Sequence, residues 1–267
     1  MRLRILSDLH LEHFDGDREL PEVEADAVIL AGDIHLGLKG LEWAARRFAD
    51  QPVIYVPGNH EFYKHRMGAL RREMATRAGE LGIHLLDNAS LELGGVRFLG
   101  TTLWTDFALY DERPDPQDIP TETLSAALRQ MPDFAVIEEP EGEVFSPERS
   151  VELHRENRAW LETELARPFG GATVVVSHHA PLAESIPAHY QGDPLSPAFA
   201  SRLEALMEGV ALWVHGHVHD PVMLTVGDTR VVAVPGGYPG ERPEDDLRLD
   251  RVVEVESMAS ESESRQA

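Results

Sequence analysis

The chain of 267 residues predicts an α/β fold. Three observations lead there. Short runs of Val, Ile, Leu and Ala recur along the chain, and helical patterns fall between several of them. The runs are continuously apolar rather than alternating, which suits strands covered on both faces. The length suffices to bury a substantial core, and a composition of 42% hydrophobic and 27% charged residues is that of a globular protein.

The elements follow in order. Residues 3–7 read as a first strand, ending in Asp8-Leu9-His10. Residues 27–31 read as a second, ending in Gly32-Asp33, and 53–56 as a third, ending in Pro57-Gly58-Asn59-His60. A helix over 39–49 places Leu41, Ala44, Ala45 and Phe48 on one side, and a longer helix over 63–82 follows the third strand. Strands at 91–93 and 96–103 are joined by Gly94-Gly95, a hairpin pair. Residues 105–146 are rich in Pro, Asp and Glu and read as an inserted lid with one short helix over 123–130. Ser146 and Pro147 start a helix to about 166, with a capping hydroxyl and a proline at the first helical position. A strand over 173–177 ends in His178-His179, and Ser196-Pro197 starts a helix to about 208. Leu212-Trp213-Val214 leads into His215-Gly216-His217-Val218-His219. A hairpin over 222–226 and 230–234 and a last strand over 251–255 complete a single domain over 1–256. Residues 257–267 are Ser, Glu and Arg with little to bury, and read as a disordered tail.

Composition removes several function classes. There are no cysteines, so disulfides, thiolate metal sites and a cysteine nucleophile are excluded. The net charge of −23 disfavours a general grip on nucleic acid, although bound metal can create a local positive site. No apolar stretch is long enough to span a membrane. The N-terminus begins like a leader, but Asp8, His10, Glu12 and Asp15 break its apolar run, so a cytoplasmic location is expected.

Five apolar strands thus end in groups able to bind metal: Asp8 and His10, Asp33, Asn59 and His60, His178 and His179, His217 and His219. Loops converge at the carboxyl ends of strands in an α/β sheet, so these groups can meet in space. The spacing of two residues within Asp8/His10 and His217/His219 would point each pair to one side of an extended chain, so each pair could serve one site. Carboxylate and imidazole donors without thiolate suit Mn first, with Fe, Zn, Co or Ni as alternatives.

Asp8-Leu9-His10, Gly32-Asp33, Gly58-Asn59-His60-Glu61, His178 and Gly216-His217-Val218-His219 together resemble the signature blocks of the calcineurin-like metallophosphoesterase superfamily. Each block is weak alone, but all occur in the family's order at strand ends. The resemblance implies a four-layer sandwich of two mixed β-sheets flanked by helices. It also implies two divalent ions bridged by Asp33, with Asp8, His10 and His219 on one and Asn59, His178 and His217 on the other. A hydroxide shared by the ions would attack phosphorus in line, and His60 would face the substrate as the catalytic imidazole. The implied reaction is hydrolysis of a phosphodiester on a small or nucleotide-like substrate. A phosphomonoesterase, a nuclease and a non-catalytic binding module on the same fold are the alternatives. One departure stands out. Protein phosphatases of the superfamily carry a GDxxDRG run, whereas this chain has Gly32-Asp33-Ile34-His35-Leu36-Gly37. The aspartate that supports the active-site histidine of those relatives is missing, so a simple Asp–His dyad for His60 is not expected.

Other candidates have competing structural readings. His35, His179, Trp104 and His189 could touch substrate. For His179 a supporting position beside His178 is preferred, and Trp104 could equally be a sheet-edge aromatic. His215 reads as a buried histidine and Glu61 as a supporting residue. His13, His65, His84 and His154 read as surface or core. The sequence leaves the oligomeric state open.

Overall fold

The computed structural model describes residues 1–16, 18–111 and 118–256. The expected tail over 257–267 lies outside the described residues.

Strands β1 (Arg2–Leu6), β2 (Ala27–Ala31), β3 (Val53–Val56) and β4 (His84–Leu85) pair in parallel. Helix α1 (Lys39–Arg47) connects β2 to β3, and helix α2 (Met67–Leu81) connects β3 to β4. The hairpin β5 (Ala89–Leu93) and β6 (Val96–Thr101) turns at Gly94 and Gly95, whose φ values of 58° and 77° favour glycine. Helices α3 (Thr121–Gln130), α4 (Asp133–Val136) and α5 (Pro147–Leu165) follow. Then come β7 (Thr173–Ser177), β8 (Leu212–His215), β9 (Val222–Val226), β10 (Thr229–Ala233) and β11 (Val252–Glu254). One sheet has five strands in the order β11-β1-β2-β3-β4, and the other has six in the order β5-β6-β7-β8-β10-β9. Antiparallel β11, β5 and β9 at the edges make both sheets mixed.

The layers follow from strand parity. Val174, Val176, Leu212 and Val214 share one buried cluster with Leu3, Ile5, Val28 and Ile54 of the first sheet. The intervening Val175 and Trp213 belong to a second cluster with Leu161 of α5. Leu41 and Ala44 of α1 and Leu70 and Met74 of α2 cover the first sheet's other face. The result is the expected sequence of helix, sheet, sheet, helix. The Ser146 hydroxyl accepts from Arg149 N at 3.2 Å and caps α5, a contact worth about 1 kcal/mol.

Two expected helices differ. Residues 196–208 form two single turns, Ser196–Ala198 and Glu204–Leu206, rather than one helix. Ala180 draws the segment into backbone pairing: its N donates to Phe199 O and its O accepts from Ser201 N, each at 3.0 Å. Helix α2 starts four residues late because the insertion holds its approach extended. Lys64 N donates to Val136 O and Met67 N to Glu138 O, each at 2.8 Å. The insertion is also fastened through Ile137 and Phe145 in the main core.

The two sheets are stitched where the candidate residues emerge. Ser7 N donates to Val234 O at 3.1 Å, and Gly236 N donates to Ser7 O at 2.9 Å. The carboxyl ends of β1 and β10 therefore lie side by side, although they belong to different sheets.

Candidate metal centre

Tight turns at the strand ends aim the donors. Asp8, His10, Asp33, His217 and His219 all have positive φ, between 45° and 68°. That left-handed region is uncommon for residues with a Cβ and is found where the surroundings impose it. The backbone is therefore not extended at either pair: Asp8 and His10 still serve one group, as expected, but the two-residue spacing of His217 and His219 does not bring them together. His217 and His219 consequently point into different groups: Asp8, His10 and His219 form one, and Asp33, His178 and His217 form the other, with donor atoms in each within 4.8 Å of one another.

Small residues make the approach possible. A Cβ at Gly58 would collide with the Asp33 carboxylate and the His178 ring, and a Cβ at Gly216 would stand 2.7 Å from Asp8 Oδ2. Glu61, fully buried, then holds the loops. Its carboxylate accepts from Asp33 N at 3.0 Å, Ile34 N at 2.9 Å, Gly58 N at 2.7 Å and Tyr55 OH at 2.8 Å.

Hydrogen bonds select the imidazole tautomers. Carbonyls and carboxylates only accept, so a ring nitrogen bonded to one carries the proton. His178 Nδ1 donates to Ala31 O at 2.9 Å, His10 Nδ1 to Glu12 Oε1 at 3.2 Å and His219 Nδ1 to Glu241 Oε2 at 2.8 Å. In each ring Nε2 is then the inward-facing nitrogen, the one that would bind a metal once its own proton is absent. The Nε2 atoms of His10 and His219 are 3.0 Å apart. Two lone pairs at that distance repel unless a proton or a cation lies beside them. Buried Asp8 Oδ2 and His217 Nε2 have no hydrogen-bond partner. Unpaired buried acceptors are costly, and a divalent ion would satisfy them. The donor set therefore fits divalent cations.

Asp33 stands between the groups. Its Oδ2 is 3.4 Å from His178 Nε2, 3.8 Å from His10 Nε2 and 3.9 Å from His60 Nε2, while Oδ1 accepts from His60 N at 2.9 Å. Burial alone would raise its pKa, but the His178, His60 and His10 imidazoles hold it well below the usual range. Burial lowers His178, yet Asp33 and Asp8 outweigh it and bring the ring up to about 10. A field that retains a proton there also attracts a divalent ion.

Asn59 Oδ1 lies 3.0 Å from His178 Nε2, and its Nδ2 donates to Tyr63 OH at 3.2 Å. Tyr63 OH in turn donates to the buried Asp133 at 2.8 Å. The tyrosine oxygen is thus left as an acceptor, which turns the amide oxygen of Asn59 toward the centre. His60 stacks on the Tyr63 ring with centroids 4.1 Å apart, and its Nδ1 is 2.9 Å from Glu12 Oε1. The absent aspartate therefore has a substitute, and it is a glutamate. Burial would lower the His60 pKa, but Asp33 and Glu12 raise it to about 9.

The remaining candidates separate. His179 is buried behind His217, with ring centroids 4.2 Å apart; burial, then His178, push it down to about 3, so it stays neutral. Trp104 is buried against Phe145 and His179, beneath the centre rather than over it. His35 turns its Nδ1 to Leu36 N and joins neither donor group. His189 is exposed, packed against Tyr190 with the rings tilted by 49°, and faces a separate groove. His215 is buried, with Nε2 3.0 Å from Ser185 Oγ. Residues that sequence reading missed are Glu12, Tyr63, Asp133, Glu241 and Tyr238, whose hydroxyl lies 3.3 Å from His60 Nε2. Only Glu12 had a local signal, two positions after His10.

Comparison with known proteins identifies the family and the fold. The calcineurin-like phosphoesterase family matches residues 1–221. An uncharacterized protein of Acanthamoeba polyphaga mimivirus is 22% identical over 271 residues, spanning 90% of this chain and 92% of its own. Phosphopantetheinyl hydrolase from Mycobacterium tuberculosis superposes with a TM-score of 0.69 at 20% identity, over 91% of this chain and 93% of that one, which shows a shared fold. A putative 5′-nucleotidase from Staphylococcus aureus aligns with a TM-score of 0.44 at 14% identity, over 87% of this chain and 48% of that one. No helix among the described residues is long and apolar enough to cross a membrane. The family match runs from the first strand past His219 and takes in all five strand ends that carry donors, so the chain belongs to the calcineurin-like phosphoesterases, which are metal-dependent phosphoester hydrolases.

Proposed function

We propose that the protein is a dinuclear phosphodiesterase acting on small substrates. Asp8, His10 and His219 would hold one divalent ion, Asn59, His178 and His217 the other, and Asp33 both. The observation that carries this reading is the Asp33 carboxylate, whose Oδ2 lies within 3.8 Å of Nε2 of both His10 and His178, members of different donor groups. Manganese is the first metal to test, because hard oxygen and imidazole donors without thiolate suit it. Bound there, divalent ions lower the pKa of water toward about 7 and offset phosphoryl charge.

The chain's own groups supply the rest. Glu12 holds the Nδ1 proton of His60, and Tyr63 fixes the ring plane, so Nε2 faces the reacting ester. With Glu12 accepting from Nδ1, the protonated His60 donates from Nε2 to the departing oxygen. A diester is favoured over a monoester because the adjoining cavity has no Lys or Arg among its described lining residues.

Purified protein loaded with Mn²⁺ is expected to hydrolyse bis(p-nitrophenyl) phosphate at least about tenfold faster than p-nitrophenyl phosphate, a difference of about 1.4 kcal/mol. Chelation should remove the activity and added Mn²⁺ restore it. A monoester preference, or activity indifferent to chelator, would overturn the proposal. Tyr63→Phe should weaken binding of one of two Mn²⁺ equivalents by about tenfold, because Asn59 loses the acceptor that orients its amide. Calorimetric titration of the apoprotein reads this directly, and unchanged affinities would count against a ligating role for Asn59.

A further inference from the structure

A cavity of about 400 Å³ opens beside the donor cluster, within the size range of small-molecule sites. Its walls are chemically uneven. Met131 and Pro132 come from the insertion, and Ile186, Pro187, Leu195 and Phe199 from the segment after β7. The polar groups among them are mostly uncharged: the Gln130 amide and the hydroxyls of Tyr190 and Ser196. The charged groups beyond the donor cluster are both acidic, Asp193 and Glu241. Asp193 is held in place because its Oδ1 accepts from Leu195 N at 2.8 Å. All positive charge would therefore sit at one end, with the metals, and be taken up by the scissile phosphoryl group.

We propose that this cavity receives the non-reacting arm of the diester, and that the arm is uncharged, part apolar and part hydrogen-bonding. This rests on the phosphodiesterase reading and narrows it: an arm carrying a second phosphate or a carboxylate is disfavoured, as are nucleoside polyphosphates. Two physical terms act together. The apolar walls reward burial of carbon. A second phosphate would meet Asp193 and Glu241 with no cation nearby. A dianion about 7 Å from one carboxylate in a water-like dielectric is repelled enough to cost about tenfold in affinity. The cavity thus differs from a nucleotide site, where Lys, Arg or helix N-termini meet each phosphate.

A matched pair of esters tests the idea. Thymidine 5′-(p-nitrophenyl phosphate) and its 3′-phosphate share the scissile bond and chromophore and differ by one remote phosphate. The Mn²⁺-loaded protein should prefer the first by about tenfold in kcat/KM, chiefly through KM. Asp193→Asn retains an acceptor for Leu195 N but removes the charge, and should shrink that ratio. Gln130→Arg places a cation in the wall and should shrink it further. Turnover of both esters at rates within twofold by the wild-type protein would overturn the neutral-arm proposal while leaving the phosphodiesterase reading intact. A ratio unmoved in both variants would overturn the assignment of this cavity to the arm. Turnover of neither ester, when the protein holds its metals, would defeat the phosphodiesterase reading and this one with it.

Discussion

Asp33→Asn is expected to reduce metal-dependent hydrolysis by at least about a thousandfold, because the activated nucleophile depends on both ions. The variant should also bind one equivalent of Mn²⁺ fewer. Asp33 is the only one of the donors whose carboxylate oxygen faces imidazoles of both groups, at 3.4 Å and 3.8 Å. It is also buried, at 1% exposure, so no water can replace its charge cheaply. The amide of asparagine preserves the volume and can still accept from His60 N, which separates charge from folding. Two buried cations would then face Asp8 as the one remaining carboxylate of the proposed ligand set. Metal content by elemental analysis and initial rates on the same sample read both effects, and a thermal melt of the apoprotein verifies the fold. Activity within threefold of wild type with two ions still bound would sink the dinuclear reading.

His60→Gln is expected to lower kcat by about a hundredfold or more on diesters with alkoxide leaving groups, the usual contribution of a positioned proton donor. The loss should be far smaller for nitrophenyl esters, because nitrophenolate leaves without a proton. Both Mn²⁺ equivalents should remain, since His60 lies outside the proposed ligand set. Glu12→Gln should reproduce the same leaving-group dependence more weakly. Glu12 Oε1 accepts from His60 at 2.9 Å and from His10 at 3.2 Å, so it orients a reacting ring and a donor ring together. Burial would raise its pKa, but those two bonds bring it down to about 2, and the glutamate remains an anionic acceptor at neutral pH. Parallel assays with an alkyl and a nitrophenyl leaving group decide the matter. Equal losses on both would show that His60 acts on binding rather than on the departing oxygen.

Much of the fold was legible because strands buried on both faces leave continuous apolar runs. Residues 27–31, 53–56 and 173–177 were read with the bounds that β2, β3 and β7 adopt. The clustering of Asp8, His10, Asp33, Asn59, His178, His217 and His219 was also legible, since each follows such a run and loops gather at that edge. The helix expected over 196–208 failed because local apolar spacing carries no information about Ala180, whose backbone claims Phe199 and Ser201. The pairing of His217 with His219 failed for a similar reason. A period of two holds only for extended chain, and His217 and His219 sit at φ 68° and 53°.

The partners of the reacting groups show where sequence reading stops. His60 meets Glu12 across 48 positions, Tyr63 meets Asp133 across 70, and His60 meets Tyr238 across 178. None of these pairs shares an element or a period. Primary order alone determined which side chains are available as metal donors and that they follow apolar strands, because burial patterns and donor chemistry are written residue by residue. Three-dimensional packing decided which nitrogen of each imidazole turns inward, which carboxylate steadies His60, and what lines the cavity beside the centre. Those properties belong to pairs of residues brought together only after two sheets have packed, and no single residue records its distant neighbour.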